Sequence, residues 1–70
     1  MTKQDVLRSL REHSGSDFLS VSDTAEALGL KRDTVRTKIL NGLEYINVGR
    51  KKMYLASDIA QAVIDRKRSD

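Results

Sequence analysis

Two helix signals in the middle of the chain lie so close together that the helices they predict must cross. The first starts at Ser20, a good helix cap, with an acid three positions on at Asp23. Val21, Thr24, Ala25 and Leu28 share one face, and Gly29 is the stop, since it enters the left-handed region without a Cβ penalty. The second runs from about Arg32 to Leu40, with Val35 and Ile39 one turn apart and Gly42 as the next stop. A connection of about three residues leaves room only for an abrupt turn. Ala25, small and one turn before Gly29, lets the second helix pass closely, and Leu28, Leu30 and Val35 are expected to fill the angle. This is a helix-turn-helix pattern.

The flanking segments supply the rest of an α+β fold. Thr2 stands three residues before Asp5, a capping-box spacing, and Val6, Leu7 and Leu10 recur at helical spacing until Ser14-Gly15-Ser16-Asp17 ends the helix. That leading helix either packs on the fold or mediates self-association. Beyond Gly42 the period changes to two: Tyr45–Val48 and Lys52–Leu55 alternate around Gly49-Arg50-Lys51, a β-hairpin with a basic tip. Ile46, Val48, Met53 and Leu55 are expected to face the core, with the turn setting their register. Ser57-Asp58 opens a last helix that returns Ile59, Val63 and Ile64 to the core. Arg66, Lys67 and Arg68 close it and complement its dipole, in preference to a second nucleic-acid contact. The expectation is one domain over 1–70, with an extra N-terminal helix over 1–13, the helix-turn-helix over 20–41, the hairpin over 45–55 and the C-terminal helix over 57–67.

Charge is concentrated in the middle. Residues 31–54 hold seven cations and two acids, whereas residues 1–30 hold three cations and five acids. Such a focus fits an electrostatic footprint for a polyanion as well as it fits an ordinary solvated surface. With no cysteine and a single histidine, neither a disulfide framework nor a zinc site is expected, and no other metal or cofactor is implied. His13 beside the first loop reads as a helix-end surface residue rather than a catalytic base. No nucleophile–base–acid spacing and no phosphate-binding glycine loop is present, so an enzyme is not expected. The N-terminus is too polar for a signal peptide and no apolar run reaches membrane-spanning length, which predicts a cytoplasmic protein with no membrane partner and no evident small-molecule ligand.

From Phe18 to about Asp65 the chain resembles the excisionase-type relatives of the MerR DNA-binding fold. The resemblance rests on Phe18-Leu19-Ser20-Val21-Ser22-Asp23-Thr24-Ala25-Glu26-Ala27-Leu28-Gly29-Leu30, on Arg32-Asp33-Thr34-Val35-Arg36, on Gly42, on Val48-Gly49-Arg50-Lys51 and on Ser57-Asp58-Ile59. It implies a small winged helix-turn-helix, mostly helical with a two-stranded wing, whose second helix reads the major groove and whose wing touches the adjacent groove or backbone. Two positions depart from the family pattern. Lys31 replaces the usual Ser or Thr cap of the recognition helix, and Lys38 replaces a common apolar residue, shifting the buried stripe towards Ile39.

With Val35 and Ile39 turned inward, Arg32, Asp33, Arg36, Thr37 and Leu40 are expected on the outer side. Arg36 is the candidate for base readout, since a guanidinium donates in parallel to guanine O6 and N7. Thr34 and Thr37 suit phosphate or a base edge, and Lys31 and Lys38 suit phosphates. Asp33 either accepts from cytosine or, with more weight, orders Arg36 and favours the first helical turn. Arg50, Lys51 and Lys52 either protect a strand edge or, favoured beside a basic helix, meet phosphates or the minor groove. Tyr45 and Tyr54 suit core or edge packing more than base stacking. The expected partner is double-stranded DNA, with an integrase and neighbouring copies of the same chain as further partners. The expected role is that of a recombination directionality factor bending DNA for an integrase; the alternatives are a small phage or plasmid transcriptional regulator and a recognition module of a packaging or replication complex.

Overall fold

The computed structural model describes residues 2–68, with the side chains of Lys67 and Arg68 outside the described set, so the expected dipole role of those two cations lies beyond it. Helix α1 (Lys3–Ser14) starts at a complete capping box: the Thr2 hydroxyl accepts from the Asp5 N–H and the Asp5 carboxylate accepts from the Thr2 N–H. It ends at Gly15, left-handed at φ 72°, whose N–H bonds the Arg11 carbonyl. Val6, Leu7 and Leu10 are buried, and α1 packs on both α4 (Ala56–Arg68) and α2 (Val21–Leu28). The leading helix is therefore part of the core.

Helix α2 is capped by the Ser20 hydroxyl, which accepts from the Asp23 N–H at 3.2 Å. Thr24 is fully buried yet satisfied, because its hydroxyl donates to the Ser20 carbonyl at 2.8 Å. Gly29 ends the helix at φ 69°, as its position after Leu28 requires. The chain then turns into α3 (Arg32–Thr34), whose cap residue Lys31 makes no side-chain capping bond, in keeping with its departure from Ser or Thr. Leu30 does not fill the angle between the helices; it is 43% exposed, and Val35 and the half-buried Leu28 fill that space instead.

The second helix does not run on to Leu40 as a continuous α-helix. Val35–Ile39 forms a π-helical turn, closed by the Leu40 N–H donating to the Val35 carbonyl at 2.8 Å. An i→i+5 turn contains one residue more than an α-turn, so Leu40 comes back over Val35. Leu40, expected outside by α-helical counting, is consequently buried at 2% exposure beside Val35 and Ile39.

The sheet has three antiparallel strands in the order β1-β3-β2, not two. The hairpin of β2 (Ile46–Val48) and β3 (Lys51–Leu55) is joined by Gly49-Arg50, with Val48 opposite Lys51. Among the described residues φ is positive at Gly49 (64°) but at no non-glycine residue, which gives this two-residue loop the character of a type II′ turn. The added strand, β1 (Phe18–Leu19), places Phe18 opposite Leu55 and Leu19 opposite Tyr54, and the Asp17 carbonyl accepts from the Ala56 N–H at 2.7 Å. That register reverses the expected faces. Leu19 and Tyr54 are buried, while Ile46 and Val48 are 47% and 56% exposed and Met53 and Leu55 half-buried. Paired strands share faces, and β1 fixes Leu19 and Tyr54 together against the helices. Helix α4 begins at Ala56, one residue before Ser57, and buries Ala56 and Ala60 as well as Ile59, with Val63 and Ile64 packed at the core's edge. No helix among the described residues is long and apolar enough to cross a membrane.

Candidate nucleic-acid interface

Lys31, Arg32, Asp33, Thr34, Arg36, Thr37, Lys38, Arg50, Lys51 and Lys52, the residues expected to meet DNA, are all exposed. Lys31, Arg32, Asp33 and Arg36, from α3 and its π-turn, line a cleft of about 530 Å³ together with Val21 and Ser22. Arg50, Lys51 and Lys52 of the wing line a second cleft of about 320 Å³ with Ser20, Val21 and Ser22. The two clefts share Val21 and Ser22. Helix and wing cations thus flank the N-terminal turn of α2, where the first N–H groups have no intrahelical acceptor and the helix dipole is positive.

Within the first cleft Asp33 pairs with Arg36 through Oδ1 and Nη2, an i,i+3 contact on one helical face. Arg32 reaches across to α2, its Nη1 donating to the Ser22 hydroxyl at 3.4 Å. Thr37 donates its hydroxyl to the Asp33 carbonyl at 2.7 Å, a bond back along its own helix that leaves its methyl for other contacts. Thr34, Thr37 and Lys38 are exposed but line neither cleft. Within the wing Lys52 is partly engaged, since its Nζ lies 4.8 Å from the centre of the Tyr45 ring. Tyr45 in turn leans on Tyr54, with ring centroids 5.7 Å apart, so this pair packs instead of forming a free stacking platform.

No family model, curated protein or solved structure matches this chain. The site therefore rests on its own geometry. Sequence reasoning missed the part that Ser20, Val21 and Ser22 play in it. Ser20 was legible as a cap, and a helix start also leaves the N–H groups of its first residues, here Val21 and Ser22, without an intrahelical acceptor, so the signal was present. His13 likewise has a partner that spacing does not reveal, Glu26 at 3.2 Å on α2, outside the clefts.

Proposed function

We propose that this chain binds double-stranded DNA, with α3 and its π-turn entering a groove and the wing holding the flanking backbone. The observation that carries this reading is the pair of basic clefts meeting at the start of α2. Phosphates there gain from cations on both sides and from the helix N-terminus. Arg36 is the base-reading residue and Lys31, Arg32, Arg50 and Lys51 are phosphate contacts; Lys52, held over Tyr45, contributes less. Fluorescence anisotropy with a labelled duplex at low salt tests the reading, and failure to bind duplex DNA there would sink it.

The resemblance to excisionases supports an architectural role, in which several copies lie side by side on repeated sites and bend the DNA. A domain of this size covers about one helical turn. Bending ~20–30 base pairs costs of order 1–6 kcal/mol, offset by contacts made along the array. The expected outcome is a monomer in free solution, stepwise cooperative gel shifts on repeated sites and a phase-dependent mobility. A stable dimer protecting one unbent palindrome overturns the architectural role in favour of a regulator and leaves DNA binding intact.

A further inference from the structure

The outer face of the sheet carries a row of apolar side chains that the register sets together. Phe18 pairs with Leu55 and Ile46 with Met53, and residues two apart on β3 share a face. Phe18 and Ile46 are exposed at 38% and 47%. Between these side chains and Tyr45 lies a cleft of about 180 Å³. That is close to a ~150 Å³ cavity able to hold one benzene ring, so it suits a single large apolar side chain. Among the described residues, the only charged ones lining it are acids, Glu44 and Asp58. Its charge is thus opposite to that of the wing tip.

We propose that this cleft docks a segment of another protein that presents one aromatic or leucine anchor flanked by lysine or arginine. The apolar floor takes the anchor, and Glu44 and Asp58 take the flanking cations. Charge decides the occupant. A symmetric contact with a second copy sets Glu44 and Asp58 against their own counterparts, a head-to-tail contact through the basic wing of a second copy is read by the dimer arm of the test, and duplex DNA is repelled by the same two carboxylates. The face is separate from the basic clefts, so a partner held here is compatible with bound DNA and the proposal does not depend on DNA binding.

Selection of a random peptide library on the immobilised full chain tests this, followed by anisotropy on the enriched peptides. The expected peptides share an aromatic or leucine anchor beside lysine or arginine. Both Ile46→Ser and Glu44→Lys are expected to weaken them by about tenfold or more. The two side chains are exposed, so circular dichroism should show both variants folded as the parent, and duplex binding should not weaken in either. Four results overturn the proposal: no enrichment, enriched acidic peptides indifferent to Ile46→Ser, displacement of the peptides by duplex DNA, or a concentration-dependent dimer that Ile46→Ser dissolves.

Discussion

Arg36 and Asp33 show how one carboxylate shapes what a guanidinium can do. Paired with Asp33, Arg36 is held on its helical face and its charge is partly cancelled. Replacing Arg36 by Ala is expected to cost roughly 1–3 kcal/mol on a preferred duplex and much less on random DNA, because a bidentate base contact is lost. Asp33→Ala is expected to act in the opposite sense on random DNA. It removes a negative charge beside phosphates, so non-specific binding tightens while the ratio of specific to non-specific affinity falls. Titrations of both variants against the two duplexes check this, and an Arg36→Ala protein with its sequence preference intact removes Arg36 from readout. A second residue-scale effect lies at the other end of the molecule. The Thr2 backbone N–H, and then the Thr2 side chain, hold the Asp5 carboxyl below its ordinary 3.8. A depressed carboxyl stabilises the fold above the ordinary carboxylate range, and that contribution is lost as pH falls through the depressed value. Carbon-detected NMR titration should place Asp5 below the ordinary range, and Thr2→Ala, which keeps the backbone N–H, should move it only part of the way back up; a parent midpoint within the ordinary range contradicts the capping box.

At the scale of elements, the π-turn and the helix-turn-helix loop assign opposite fates to two leucines. Leu40 lies inside because the π-turn carries it over Val35, and Leu30 lies outside because the turn after Gly29 leaves it uncovered. Leu40→Ala is therefore expected to cost about 2–5 kcal/mol, the range for a core leucine. Leu30→Ala is expected to stay within about 0.5 kcal/mol. Urea denaturation measures both, and equal effects contradict the π-turn. In a chain of 70 residues the first loss is a large part of total stability, so Leu40→Ala is best compared at low temperature. The hairpin is a simpler case. Pattern alone located its strands and its glycine, yet the side facing the core depended on β1, a strand of two residues too short to leave a periodic signal.

Over the whole molecule the proposed DNA contacts draw on the seven cations of residues 31–54. If about four to six cations meet phosphates, log K against log salt should slope near −4 to −5. Replacing Arg50, Lys51 and Lys52 together should weaken all duplexes alike and flatten that slope, in contrast to the sequence-selective loss at Arg36. Since Lys52 is engaged with Tyr45, most of the flattening should come from Arg50 and Lys51, which single substitutions can separate. A slope near zero in the parent protein contradicts an electrostatic footprint.

Local chemistry determined what the sequence could show by itself. Caps at Thr2 and Ser20, left-handed stops at Gly15 and Gly29, and a turn glycine at Gly49 act within a few residues of themselves, so their positions carry their own signal. The exposed basic character of residues 31–38 and 50–52 was legible for the same reason, since ionised side chains stay in water wherever the fold permits. Long-range packing decided the rest. The Leu19–Tyr54 pairing turned the hairpin over, burial of Leu40 went with an extra residue in the helix after the turn, and the helix and wing cations came to border the same two residues, Val21 and Ser22. Each of these outcomes depends on contacts between residues distant in sequence, or on one backbone hydrogen bond chosen over another, and side-chain periodicity records neither.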